Sequence, residues 1–370
     1  MLLIDNATVA KVLTMETTIT ALEEAYRQHV QGEAVCRPRI DIEIPTGDPQ
    51  KLYRWGTMEG GSMSGYFAIR MKSDIIYEQQ YQGVTTEEKY CIRPGTYCGL
   101  ILLTSTRTGE PLAIINDGII QHMRVGADGG LGVKYAARSD VETVGMLGSG
   151  GQARSHIAAF MQVRPGIKRL QVYSPTRSNC ERFAGEVTDK YGLEVEVCKS
   201  ADEVYRNADI LAAVTDSTVP VIDGDLLEPG THVINIGGGG TPGQGVIDRI
   251  DVYLRFGDAP APRGMPEFRV KDEHLTYAAE ASTGRAVKPG KSGKRGHGPL
   301  LADRMLTFAD ILKCGMQSVR TDAAQFSYSE RGNLQGQQFW SVAGRVYESA
   351  RSLGLGREIP TEWFLQDIRN

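Results

Sequence analysis

The run Val144-Gly145-Met146-Leu147-Gly148-Ser149-Gly150-Gly151-Gln152-Ala153 constrains this chain more than any other stretch. It reads as a strand that passes through a glycine turn into a helix, with GxGxxA spacing. Gly148 permits the tight turn, Gly150 lets the backbone approach a pyrophosphate, and Ala153 is the small residue where helix meets strand. The helix start then meets the phosphates with free N–H groups and a favourable dipole. Small residues at that spacing say little by themselves. Here Thr143 to Leu147 is an apolar strand, Gln152 to Val163 is helical, and a second strand, Arg169 to Tyr173, follows at the right distance. That context makes the run a dinucleotide-binding unit, with Ser149, Gly151 and Gln152 completing its loop.

Alternation of strand and helix continues beyond it, as in a parallel sheet with crossover helices. A helix from Asn179 to Tyr191 is expected, then strands from Glu194 to Val197, Ile210 to Val214 and His232 to Ile236. Ser200-Ala201-Asp202-Glu203 has the form of a capping box opening a short helix. The Gly/Lys/Arg-rich stretch from Arg285 to Pro299 cannot build a core and is expected to be a solvated insertion. Before the glycine run the pattern is α+β. Thr17 to Val30 is an amphipathic helix whose His29 is a packed residue. Arg39 to Ile44 alternates as a half-buried strand, and Gly65 to Ile76 and Cys98 to Ser105 are further strands, with a turn at Thr108-Gly109. The tail from Asn333 to Ser352 is again an amphipathic helix.

At 370 residues the chain is longer than single cores usually grow, so two domains are expected. Apolar residues at 41%, charged residues at 23% and a net charge of -4 point neither to nucleic acid nor to an electrostatic hold on acidic macromolecules. No apolar run approaches the ~20 residues needed to cross a bilayer, and the start lacks a basic leader pattern, so a cytoplasmic protein is expected. The six cysteines contain no CxxC, which gives no zinc or redox pattern, and no metal site is expected.

Which dinucleotide binds depends on the end of the second strand, where a carboxylate would hold the ribose 2′-hydroxyl of NAD. This chain has Tyr173-Ser174-Pro175-Thr176-Arg177 there. Hydroxyls on Ser174 and Thr176 and the Arg177 guanidinium suit a 2′-phosphate, so NADP(H) is favoured over NAD(H).

Gly148-Ser149-Gly150-Gly151-Gln152-Ala153-Arg154-Ser155-His156 resembles the GxGxQAxxH signature of the ornithine cyclodeaminase and μ-crystallin family. Thr108-Gly109-Glu110-Pro111-Leu112-Ala113, the helix entry with Arg124, and Gly230-Thr231-His232-Val233-Ile234-Asn235 are similar to it as well. The likeness runs from about Thr17 to Gly356. It implies a homodimer with a substrate-binding and dimerisation domain from residues 1–130 and 320–370. Residues 131–319 would form the Rossmann domain.

The resemblance also implies a cationic clamp for a substrate carboxylate, which a guanidinium holds bidentately. Arg39 matches an early arginine, with Arg37 as its alternative, and Arg124 matches the arginine on the helix entering the Rossmann domain. In Ala68-Ile69-Arg70-Met71-Lys72, alternation puts Arg70 and Lys72 on one face. Either could polarise the reacting C=N group or supply a proton. His122 could act as a general acid or shape the pocket. His156 is expected to pack its helix against the sheet. Thr215, Asp216 and Ser217 follow a strand end and are placed on the nicotinamide side, with Ile236 and Gly237 at the later glycine turn. Cyclodeaminases carry an aspartate where Gly240 falls, so its absence disfavours ring closure with loss of ammonia. The expected activity is an NADP(H)-dependent imine reductase or amino acid dehydrogenase acting on a small amino or imino acid. A cyclodeaminase recycling its NAD and a non-catalytic NADPH-binding protein are the alternatives.

Overall fold

The computed structural model of the protein describes residues 1–81, 84–217, 219–236, 241–268, 274–279 and 298–368. The chain opens with β1 (Leu2–Ile4), α1 (Asn6–Val12), α2 (Met15–Val30), β2 (Ala34–Cys36), β3 (Arg39–Pro45) and β4 (Lys51–Ser62). It continues through β5 (Tyr66–Tyr81), β6 (Val84–Tyr90), β7 (Gly99–Ser105), β8 (Pro111–Asn116) and the long α3 (Gly118–Ala136). Then come β9 (Thr143–Leu147), α4 (Gly151–Val163), β10 (Arg169–Tyr173), α5 (Arg177–Tyr191), β11 (Glu194–Val197), β12 (Ile210–Ala213) and β13 (His232–Asn235). The last part holds α6 (Gln244–Ile247), β14 (Val252–Arg255), β15 (His274–Ala278), β16 (Met305–Leu306), α7 (Phe308–Lys313), β17 (Ser327–Glu330), α8 (Gln335–Ser352) and β18 (Arg357–Glu358).

The strands form two sheets. The first has ten strands in the order β15-β3-β4-β5-β7-β8-β1-β18, with β2 beside β4 and β6 beside β5. The second has eight, β11-β10-β9-β12-β13-β17-β14-β16, paired in parallel throughout. Chain order reverses on either side of β9, which opens a crevice at the carboxyl ends of β9 and β12, where α/β sheets bind ligands. The expected α/β class with a Rossmann-type unit is therefore present. Two strands cross the division expected at residues 130 and 320: β17 lies in the parallel sheet, and β15 pairs with β3 of the first sheet.

Local chemistry sets the element bounds. The Thr14 hydroxyl accepts from the backbone N–H of Thr17 at 3.1 Å, so α2 starts at Met15, before the periodic apolar stripe begins. His29 is packed as expected, its ring nitrogens 2.9 Å from the Gln337 amide nitrogen and 3.2 Å from the Asp258 carbonyl. The capping box expected at Ser200 does not form. Residues Asp202–Tyr205 make a short 3₁₀ turn without a side-chain cap, and Glu203 accepts instead from the Lys199 N–H at 2.7 Å. With one turn there are too few free N–H groups to reward a reciprocal cap.

In β3 the alternation holds but its sense is reversed. Asp41 and Glu43 are 1% exposed, whereas Ile42 and Ile44 are 37% and 43% exposed. Among the described residues no helix is long and apolar enough to cross a membrane. Gly237, Gly240 and residues 285–297 of the expected basic loop lie outside the described residues.

Candidate active site

The glycine loop is built by one strained turn and one uncapped helix. Gly148 has φ +113°, and a Cβ there would stand 2.5 Å from the Val214 carbonyl oxygen, so β9 can turn beside β12 only with glycine. Helix α4 begins at Gly151 with Gly150 as its N-cap and no side-chain cap, which leaves its first N–H groups for a ligand. Nothing lies within 4 Å of where a Gly150 Cβ would be, so the space a pyrophosphate needs is open. Ser149 and Ala153 are buried behind the loop. These features fit a dinucleotide.

A cleft of about 800 Å³ runs from this loop to the first sheet. Gly150, Gly151, Gln152, Thr215, Ser217 and Ile236 line one wall. Arg39, Arg70, Lys72, His122 and Arg124 line the other. Residues more than a hundred positions apart in sequence thus meet across one space. Arg37 is not part of it, because its guanidinium turns to Glu59 at 2.7 Å. Ser174, Thr176 and Arg177 stand at the end of β10, with Arg177 exposed and paired to Glu181 at 2.8 Å.

The cationic wall is a lattice laid out by strand register. Residues directly opposite one another in neighbouring antiparallel strands share a face. Met58, Arg70 and Ile101 form one row, Asp41, Gly56, Lys72 and Gly99 the next, and Glu43, Arg54 and Asp74 a third. Lys72 thus has a glycine on either side. A Cβ on Gly56 would lie 2.4 Å from Asp41 Oδ1, and one on Gly99 would lie 2.0 Å from Asp117 Oδ1. The two gaps admit the carboxylates that accompany the cations. Lys72 donates to Asp74 at 2.9 Å, Arg39 to Asp41 at 2.8 Å and Arg70 to Asp117 at 2.6 Å. Burial, followed by the charges of Arg39 and Lys89, holds the Lys72 ammonium well below the ordinary lysine range despite Asp74 and Asp41.

Arg124 is held differently. Its terminal nitrogens donate to Gln338 at 2.7 Å and Gln121 at 2.8 Å, and its guanidinium lies 4.9 Å from the Phe339 ring centre. Gln338 is fixed in turn by donating to Tyr26 at 2.7 Å and to Asp128 at 3.0 Å. Both Arg124 Nε and Arg39 Nη2 are buried and have no hydrogen-bond partner among the described residues. Burial, with Arg331 and Arg70 nearby, pushes the Arg124 pKa down. A guanidinium keeps its proton in proteins, so an anion rather than deprotonation would relieve this stress.

His122 meets the glycine loop: a Cβ on Gly151 would lie 2.8 Å from its Nε2. Burial lowers its pKa against the pull of Asp117. His156 packs α4, but against α3 rather than the sheet. Its Nδ1 lies 2.7 Å from the Gln152 carbonyl, and its ring fills the gap left at Gly129. Sequence reasoning missed Asp74, Asp117, Gln338 and Lys89. Asp74 shares the period-two face of Arg70 and Lys72 and was legible there, whereas Gln338 lies 214 residues from Arg124.

Known proteins share the fold and much of the sequence. Alanine dehydrogenase of Archaeoglobus fulgidus is 27% identical over 370 residues, covering 97% of this chain and 98% of that one. Delta(1)-pyrroline-2-carboxylate reductase of Bacillus cereus is 33% identical over 142 residues, which span 38% of this chain and 43% of that protein. The structure of Thermococcus litoralis Delta(1)-pyrroline-2-carboxylate reductase in complex with NADH and L-proline has the same fold, with TM-score 0.71 and 24% identity. That match covers 97% of this chain and 100% of the other. A sequence model of the ornithine cyclodeaminase/mu-crystallin family matches residues 2–252, and the chain belongs to that family.

Proposed function

We propose that the protein is an NADP(H)-dependent imine reductase or amino acid dehydrogenase acting on a small carboxylate-bearing substrate. The observation that carries this reading is that the glycine loop and the cationic wall line a single cleft. Bound at the loop, a reduced nicotinamide supplies a hydride to the C=N carbon. Arg124, together with the spare nitrogen of Arg39, binds the substrate carboxylate. Lys72 is buried and of lowered pKa, which suits it to hold or give up a proton at the substrate nitrogen. Arg70, paired with Asp117 on the same wall, is the alternative to Lys72 for polarising the C=N group. His122 lies between wall and loop and orders the two against each other.

NADP(H) is favoured because Tyr173 to Arg177, at the end of β10, contains no Asp or Glu and carries the hydroxyls of Ser174 and Thr176. Dissociation constants for NADPH and NADH test that preference, and tighter NADH binding overturns it. The activity is tested by NADPH consumption with a panel of α-keto acids plus ammonia or methylamine, and with cyclic imines. Ammonia release from ornithine without NADPH consumption would replace the reductase with a cyclodeaminase.

The outer face of the first sheet supports a homodimer. Tyr277, Ile42 and Trp55 stand in one row there, and Ile44, Tyr53 and Ile75 in another. Such a contiguous apolar surface is suited to a second copy of the same face.

A further inference from the structure

Lys72 has surroundings that a proton donor alone does not need. It is only 7% exposed, yet it lines the cleft. In its row of the first sheet Gly56 and Gly99 stand on either side, so no side chain of β4 or β7 rises directly beside it. Its stem runs along the Gly56 gap, where a Cβ would lie 3.1 Å from Lys72 Cε and 2.4 Å from Asp41 Oδ1. Arg39 Nε donates to that same Asp41 oxygen at 2.8 Å. Lys72 and Arg39 therefore border one small space, and Arg39 carries the largest charge that the Lys72 ammonium feels.

Two further contacts set the chemistry. Arg39 Nη2 is buried with no hydrogen-bond partner among the described residues, so this guanidinium has N–H groups to spare for a ligand. Lys72 Nζ lies 2.9 Å from Asp74 Oδ2, and Asp74 is 4% exposed. An amine with a carboxylate at that distance is a nucleophile paired with its base. In a 2-oxo acid the electrophilic carbonyl carbon is bonded directly to the carboxylate carbon. A carboxylate held on Arg39 brings that carbonyl to the side chain next to it, which is Lys72.

We propose that Lys72 captures 2-oxo acids covalently, as an imine between its Nζ and the carbonyl carbon, with the carboxylate on Arg39 and with Asp74 as the base. This goes beyond the proton role given to Lys72 above and rests on the cleft being the substrate site. Towards a preformed imine the side chain is an acid; towards a free ketone it is a nucleophile. Asp74 takes a proton from the ammonium, and the freed nitrogen pair bonds to the carbonyl carbon while the C=O pair moves to oxygen. The proton on Asp74 and a second one from nitrogen pass to that oxygen, which leaves as water. The nitrogen keeps its last proton in a cationic C=N bond, and Asp74 faces it again as a carboxylate. No oxidant or reductant is consumed. Burial helps by weakening the hold of the ammonium on its proton.

The test uses the full chain without NADPH, incubated with pyruvate and sodium cyanoborohydride, which reduces a protonated imine to a stable secondary amine. Peptide mass mapping is expected to show Lys72 labelled at least tenfold faster than any other lysine, Lys89 included. Acetone, which has the ketone but no carboxylate, should label Lys72 at least tenfold more slowly than pyruvate does. Arg39→Gln should bring pyruvate down to the acetone rate. Lys72→Met should remove the fast label while NADPH still binds. Labelling of Lys72 no faster than that of the other lysines overturns the proposal, and so does a pyruvate rate that Arg39→Gln leaves unchanged. Turnover separates this from the reductase reading. Should pyruvate with ammonia fail to consume NADPH while Lys72 is still labelled, the capture stands and the reductase falls. Should NADPH be consumed while Lys72 stays unlabelled, the reductase stands and the capture falls.

Discussion

His122 fills the space that a side chain on Gly151 would need, its Nε2 lying 2.8 Å from where a Cβ would stand. The glycine at this position serves the imidazole of α3 as well as the loop. Gly151→Ala should therefore push the ring out and disturb the helix start that faces the phosphates. NADPH affinity is expected to fall about tenfold, which is ~1.4 kcal/mol. His122→Ala in the same chain should recover most of that loss, as measured by NADPH fluorescence titration. Additive losses in the double variant would show that the two residues do not act through one contact.

Arg124 depends on a residue that does not itself line the cleft. Gln338 Oε1 accepts from it at 2.7 Å. Gln338→Glu would place a negative charge at that distance and answer the guanidinium from behind. The expected result is a rise of more than tenfold in KM for a carboxylate substrate with NADPH affinity nearly kept, and a lower melting temperature because the new carboxylate also faces Asp128. Arg124→Ala should cost about 2–5 kcal/mol of substrate binding, the range for breaking a desolvated charge pair. An unchanged KM in either variant would remove Arg124 from substrate binding.

Acid should destabilise the protein through its buried imidazoles. Burial pushes His156 down to about 4 and His232 to about 3. A group whose pKa is lowered by folding binds more protons in the unfolded chain, so stability rises with pH across the gap and is lost as pH falls from about 6.5 towards those values. The gap at His156 corresponds to on the order of 3 kcal/mol at the acid end. Urea unfolding at pH 7.5 and pH 5 should show the loss, and His156→Gln should show a shallower dependence. Identical slopes would mean that His156 does not govern the acid limb.

The inverted alternation of β3 also has a measurable consequence. Ile42 and Ile44 face outward beside Tyr277 and Trp55, while their charged neighbours face the site. Ile42→Asp puts a charge in the middle of that apolar surface. Sedimentation velocity should show a lighter species than the unaltered protein, with NADPH binding retained. A variant that sediments as before would place any subunit contact elsewhere.

Much of the parallel sheet was legible because its signals are local. Thr143–Leu147, Arg169–Tyr173 and Glu194–Val197 are strands within the bounds that hydrophobic runs set. The glycine loop follows from spacing within ten residues. Strand β4 is a different case. It places the fully buried Arg54 on the face of Gly56 and Met58 and the buried Glu59 on the opposite face, and hydrophobic alternation cannot find a strand that buries charge. The Ser200 signal failed for a related reason, since a capping box pattern does not say how long the helix behind it will be.

The sequence by itself determined the dinucleotide loop, the family and the types of residue available for a carboxylate clamp, because each is encoded in neighbours along the chain. Which cations share the cleft was decided by tertiary structure. Arg39 and Arg37 are equivalent in sequence, and the one-residue change of register on β4 between β2 and β3 leaves Arg39 at the cleft and Arg37 on Glu59. The partners of those cations were decided the same way. Gln338 reaches Arg124 through the docking of α8 on α3, and Lys89 reaches the cleft through a hairpin that changes neighbours midway. Contacts of that range depend on how sheets and helices pack, and no local pattern along the chain records them.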